Sequence, residues 1–185
     1  MQISGGGSGH EPAREWRDPL KRTCFVEPPA CDISRLTTCE LCADAGFVGE
    51  GLLTAAICGN VFASPNVGQI RQAVEQVAND KGTLAVVMRY TGDVLLFGLA
   101  KEQQAVTNPE RPFRLTVVGD DVAVGRSQGR LVGRRGLAGT VLVYKLASAL
   151  AETGADLEDV HALAEYAATR VGTMGAGLDH CRAFF

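Results

Sequence analysis

Thr83-Leu84-Ala85-Val86-Val87-Met88-Arg89-Tyr90-Thr91-Gly92-Asp93-Val94 is the stretch that decides the fold. Thr83–Met88 is a continuous apolar run, which fits a strand covered on both faces, the usual situation in a parallel sheet. Tyr90-Thr91-Gly92-Asp93 is the turn at its carboxyl end, and Val94–Ala105 reads as a helix. Upstream, Ser64-Pro65 has the residues of a helix start, with Ser as N-cap and Pro in the first turn. Val67, Ile70, Val74 and Val77 then recur at three and four, one buried helical face, until Asn79-Asp80-Lys81-Gly82 ends it. Downstream, Arg114–Val118 is the next buried strand and runs into Gly119-Asp120-Asp121. Gly139–Leu150 is a third helical pattern, with Val141, Leu142, Lys145 and Leu146 on neighbouring turns, closed by Gly154. Asp156 is the expected N-cap of a fourth helix with Asp159 at its third position, and Leu157, Val160, Leu163, Ala164 and Ala167 are its inner face. Strand and helix in alternation predict a layered α/β domain with a largely parallel or mixed central sheet.

Composition agrees with this. In 185 residues, 46% are apolar and 22 are glycine, enough for a core and for many tight turns at strand ends. The net charge of −3 offers no bulk field toward nucleic acid or an anionic membrane. The one basic stretch, Gly125–Arg135 with Arg126, Arg130, Arg134 and Arg135, has no aromatic residue to stack on bases, so it suits a phosphate or carboxylate rather than RNA. Apolar runs fall short of the ~20 residues that a membrane helix needs. The opening Met1-Gln2-Ile3-Ser4 is not that of a secretory signal, and a cytoplasmic location is the default expectation.

Residues 14–43 differ from everything after them. They hold the single Trp, Trp16, the Pro28-Pro29 pair, and Cys24, Cys31, Cys39 and Cys42. Neither helical nor strand periodicity persists there, and a long segment of this kind reads as a disordered insert. Cys39-x-x-Cys42 has the spacing of a redox pair or of half a zinc site, although the wide gap between Cys24 and Cys31 is unlike the second pair of a four-thiolate site. The predicted organisation is a glycine-rich loop over 1–13, the insert over 14–43, the body of an incomplete α/β domain over 44–181, and a divergent tail over 182–185.

In open α/β sheets ligands bind beyond the carboxyl ends of the strands. Asp93 and Asp120-Asp121 fall at such ends. Each carboxylate has two readings, a helix cap or a group facing a substrate hydroxyl, with metal coordination a third for the adjacent pair. Two neighbouring carboxylates repel if both are dry, so one should be solvated or paired, for example with an arginine of the 125–135 loop. Ser4-Gly5-Gly6-Gly7-Ser8-Gly9-His10-Glu11-Pro12 reads as a loop whose bare backbone N–H groups wrap a small ligand, or as a flexible linker. Within it, His10 is either a surface histidine or an acid–base group, since imidazole titrates near neutrality. His161 reads as a partly covered helix residue, and His180 beside Cys181 is too close in sequence to form a nucleophile pair.

Gly5-Gly6-Gly7-Ser8-Gly9-His10-Glu11-Pro12 resembles the signature of the dihydroxyacetone (glycerone) kinase family in its ketone-binding K domain. The resemblance continues in order through Ala45-Gly46-Phe47-Val48-Gly49, Gly59-Asn60-Val61-Phe62-Ala63-Ser64-Pro65, Tyr90-Thr91-Gly92-Asp93, Val118-Gly119-Asp120-Asp121-Val122-Ala123, Gly133-Arg134-Arg135-Gly136-Leu137-Ala138-Gly139-Thr140 and Gly172-Thr173-Met174-Gly175. It implies a domain that binds dihydroxyacetone or a similar short ketose for phosphoryl transfer. The glycine loop, Gly6, Gly7 and Ser8, together with His10 would touch the substrate, and Asp93 would hydrogen-bond its hydroxyls and help move the proton. His10 and Asp93 are thus the implied catalytic residues, and no metal ligand is implied. The family's covalent substrate histidine lies further downstream than this chain extends. The resemblance implies no cofactor bound by this chain. It implies ATP and Mg²⁺ on a separate helical nucleotide-binding domain, or a phosphorylated carrier acting through a nucleotide-binding subunit, and it admits a homodimer. The expectation is a substrate-binding portion that is inactive alone, or alternatively a non-catalytic ketose-binding or regulatory module. Residues 14–43 stand where the family passes directly from its His-Glu-Pro block to Ala-Gly-Phe. Met88 and Arg89 replace a family Lys-Asn pair, a departure that bears on which ketose is taken.

Overall fold

The computed structural model describes residues 23–25, 34–39, 46–59, 63–77, 79–125 and 133–177. They form a five-stranded sheet with four helices in the order β1 (Thr23–Phe25), β2 (Ser34–Cys39), β3 (Ala55–Cys58), α1 (Val67–Val77), β4 (Thr83–Met88), α2 (Thr91–Thr107), β5 (Phe113–Val118), α3 (Thr140–Glu152) and α4 (Leu157–Arg170). The strand order is β1-β3-β2-β4-β5. β3, β2, β4 and β5 run parallel and β1 is antiparallel to β3. The mixed, largely parallel sheet is the one the sequence predicts, and it is open rather than closed into a barrel.

Apolar alternation within β4 explains the layering. Leu84 and Val86 face one side and pack with Val118 against Val143, Tyr144, Ala147, Val160 and Ala164 of α3 and α4. Ala85 and Val87 face the other and pack with Ala55, Ile57 and Phe113 against Ile70, Val74, Phe97 and Ala100 of α1 and α2. A strand two-sided in this way needs an unbroken apolar run, because successive side chains serve opposite layers. β4 and β5 pair in register from Thr83 with Phe113 to Met88 with Val118, so both strands end at the same level.

Helix boundaries follow their caps. α4 begins as expected, with the Asp156 side chain accepting from the Asp159 N–H at 3.0 Å. α1 differs: Ser64 is not its cap. Asn66 and Gln69 cap it reciprocally, each backbone N–H donating to the other's side chain at 2.9 Å. α2 starts at Thr91, three residues before the expected start at Val94, which puts Asp93 inside its first turn. On α3 the buried face is Val143, Tyr144, Ala147 and Ala151, whereas Leu142 and Leu146 of the expected pattern are exposed. Two strands, β1 and β2, come from the 14–43 stretch that sequence periodicity gives as irregular, and β2 pairs between β3 and β4. Backbone pairing across a sheet requires hydrogen-bonding groups and extended geometry, which an irregular side-chain pattern does not forbid.

Burial separates two apolar side chains by their energetics. Phe97→Ala should lower unfolding stability by about 3–5 kcal/mol, since it empties a fully buried site in the α1/α2 layer. Leu142→Ala, at a position 59% exposed, should change it by less than about 0.5 kcal/mol. Urea denaturation of both variants checks the contrast, and equal losses would contradict the layer assignment.

Candidate functional site at the carboxyl edge of the sheet

Parallel strands bring the ends of β4 and β5, and everything that follows them, to one edge. Just beyond β4, Arg89 N–H donates to the Val118 carbonyl at 2.8 Å, which extends the β4–β5 ladder by one rung. Tyr90 then occupies the N-cap of α2 in an extended conformation, with no side-chain cap bond. Asp93 lies in the first helical turn and is 1% exposed. A carboxylate there is favoured by the positive end of the helix dipole. Its position inside the helix separates it from the N-cap role that was one of its two readings. Ser64 closes against this turn: a Cβ on Gly92 would stand 2.5 Å from Ser64 Oγ. The residue expected to cap α1 thus packs on the start of α2, where Gly92, lacking a side chain, makes space for it.

Just beyond β5, Asp120 is wholly buried. Its Oδ1 accepts from the Leu137 N–H at 2.6 Å and its Oδ2 from the Gly139 N–H at 2.7 Å. The Thr173 hydroxyl also donates to Oδ2. Its backbone carbonyl accepts from the Thr173 N–H at 2.7 Å, and Val122 N–H donates to the Thr173 carbonyl at 3.0 Å. Asp121 is half-buried and accepts from the Ala123 N–H at 2.9 Å. Among the described residues no arginine pairs with either carboxylate. The expected relief of repulsion therefore comes from backbone N–H groups and one hydroxyl. Asp120 is an anchor for the segments around Leu137, Gly139 and Thr173. Sequence reasoning did not identify Gly139 and Thr173 as its partners. They lie 19 and 53 residues away, and no local spacing announces the contact.

His161 sits half-buried on α4, 3.7 Å from Glu165. Gly6, Gly7, Ser8 and His10 lie outside the described residues, as do Cys31, Cys42, His180 and Cys181. No helix among the described residues is long and apolar enough to cross a membrane.

The Dak1 domain family model matches residues 42–184. Dihydroxyacetone kinase 2 of Saccharomyces cerevisiae is 42% identical over 179 residues, which is 97% of this chain and 25% of that protein. Among solved structures, the dihydroxyacetone kinase from C. freundii in complex with AMP-PNP and Mg²⁺ matches with a TM-score of 0.74 and 37% identity, over 85% of this chain and 29% of that one. The dihydroxyacetone kinase operon co-activator Dha-DhaQ matches with a TM-score of 0.70 and 26% identity, over 79% of this chain and 45% of that one. The chain spans about a quarter of the length of the curated relatives it matches first.

Among the described residues no group of three or more His, Cys, Asp and Glu side chains is arranged to hold a metal ion. Asp120, the carboxylate with metal coordination as a third reading, gives its oxygens to the Leu137, Gly139 and Thr173 donors instead.

Asp120 has no slack for exchange. Asp120→Asn turns one acceptor into an NH₂ facing a donor, and should cost about 2–4 kcal/mol of stability. Gly139→Ala should also destabilise, because its Cβ would fall 2.5 Å from Asp120 Oδ2. Thermal unfolding followed by circular dichroism reads both. A melting temperature unchanged in Asp120→Asn would remove the anchoring role.

Proposed function

The chain belongs to the Dak1 domain family, and on that footing we propose that it is the substrate-binding portion of a glycerone (dihydroxyacetone) kinase, taking dihydroxyacetone or a similar short ketose. The observation that carries this reading is Asp93, buried in the first turn of α2 directly beyond the carboxyl end of β4. That is where an open parallel sheet presents polar groups to a small ligand. In the proposed site Asp93 accepts a hydrogen bond from a substrate hydroxyl and takes its proton as the phosphoryl group arrives. Gly6, Gly7 and Ser8 enclose the ketose with backbone donors, and His10 contacts it as a second acid–base group.

The donor, ATP with Mg²⁺, is placed on a helical nucleotide-binding domain or subunit in the cytoplasm. The solved C. freundii dihydroxyacetone kinase in complex with AMP-PNP and Mg²⁺ supports a nucleotide as the donor. Phosphoryl transfer depends chiefly on positioning donor and acceptor together. On this reading the chain supplies the acceptor half, and a homodimer is its proposed assembly. A second reading, a non-catalytic ketose-binding module that works through a partner, draws support from the likeness to the operon co-activator Dha-DhaQ.

Incubation of the chain with dihydroxyacetone, ATP and Mg²⁺, with and without a nucleotide-binding subunit, separates the two. Phosphorylation only in the presence of the subunit is the expected result, and ketose binding without turnover under either condition would favour the module. Within the active combination, Asp93→Asn should lower kcat by about a hundredfold or more while the melting temperature holds. His10→Asn should weaken ketose binding in calorimetry without unfolding the domain. Full activity in Asp93→Asn would sink the assignment of the proton to that carboxylate.

A further inference from the structure

Three arginines, Arg89, Arg134 and Arg135, lie where β4 and β5 end. Arg89 leaves β4 and lies along glycine backbone. A Cβ on Gly133 would stand 2.9 Å from its Nη1, and one on Gly119 would stand 3.1 Å from its Nε. Arg135 returns to the same place, with Nη1 3.5 Å from the Arg89 carbonyl and Cζ 5.4 Å from the centre of the Tyr90 ring. Arg134, next to it, is held by its Nε donating to the Val124 carbonyl at 2.8 Å. Among the described residues no carboxylate pairs with any of the three. Ion pairs elsewhere, such as Arg114 with Glu158 and Arg71 with Glu75, show that arginines of this chain find acidic partners where these are in reach.

This concentration of positive charge occurs in a chain whose net charge is −3. It also lies immediately before Thr91-Gly92-Asp93, the turn of the proposed ketose site. A guanidinium with no carboxylate partner keeps donors available to an anion. Guanidinium forks match the oxygen spacing of a phosphoryl group, and Gly119 and Gly133, lacking side chains, let Arg89 lie close along their backbone. Tyr90 keeps the Arg135 plane in place by cation–π stacking.

We infer that Arg89, Arg134 and Arg135 form a phosphoryl-recognition patch beside the ketose site, holding the phosphate end of a phosphorylated ketose or of the donor. The inference rests on the ketose-kinase reading for its role and deepens it. Arg89 is then a specificity-determining residue.

Calorimetric titration of the full chain with inorganic phosphate tests the patch. Glycerone phosphate and ATP serve as competing probes, and unphosphorylated dihydroxyacetone as a parallel titration. Phosphate binding should weaken about tenfold or more in Arg89→Gln and in Arg135→Gln. It should fall steeply with added salt, while dihydroxyacetone binding in Arg135→Gln and the melting temperature stay unchanged. Arg89→Lys should recover only part of the loss, because an ammonium lacks the fork. The competitor that displaces phosphate at the lower concentration identifies the source of the phosphoryl group. Phosphate binding that survives intact in both Gln variants, or its absence in the unaltered chain, overturns the patch. Arginine-dependent phosphate binding without any ketose binding supports the patch and counts against the ketose reading alone.

Discussion

Asp120 sits in a wholly buried position with three donors aimed at its carboxylate: the Leu137 N–H, the Gly139 N–H and the Thr173 hydroxyl. Removing a carboxylate from water costs several kcal/mol, and the cost is offset only when its lone pairs are met. Each bond from a donor to such a group returns about 1.5–3 kcal/mol. The arrangement therefore stands as a whole or fails as a whole. It ties the exit of β5 to the entry of α3 and to the segment after α4, so the far end of the chain is fastened to the edge where the proposed site lies. Gly139 belongs to the same constraint, since any side chain there would occupy the space of the Asp120 oxygens.

The anchor has a consequence for the edge as a whole. With Leu137 and Gly139 fixed, the residues just before them are drawn over the end of β5, and Gly136 lies so close to Met88 that a Cβ would stand 2.6 Å from the Met88 Cβ. Arg134 and Arg135 arrive beside Arg89 for the same reason. Two carboxylates at strand ends are thus placed differently. Asp120 holds backbone, while Asp93 sits in the first turn of α2, beside Ser64 across Gly92. The chemistry proposed for this edge depends on that division, because a carboxylate already committed to three protein donors has nothing left for a substrate hydroxyl.

Local pattern and tertiary contact agree where the element is long and two-sided. β4, β5 and α4 stand close to the limits given by apolar runs and by the Asp156 cap. They part where a residue has competing uses. Ser64 has the chemistry of a cap and is taken by the approach to Gly92, so Asn66 caps α1 in its place. Leu142 and Leu146 have the spacing of a buried face, yet the sheet meets α3 along Val143, Tyr144 and Ala147. Two strands from residues 14–43 join the sheet through backbone hydrogen bonds that carry no side-chain signature.

The amino-acid sequence alone determined the layered α/β class, the strand that both layers share, and the family to which the ordered glycine, YTGD and GDD blocks point. Those features are written in periodicity and in short contiguous motifs, which depend on neighbours a few residues apart. That Asp120 anchors backbone, and that Arg134 and Arg135 return to the strand edge where Arg89 leaves β4, were decided only in the tertiary structure. The partners of Asp120 lie 17 to 53 residues away, and Arg89 and Arg135 are 46 apart. Contacts at such separations depend on how the strands are ordered and how their loops return, and no local pattern encodes that.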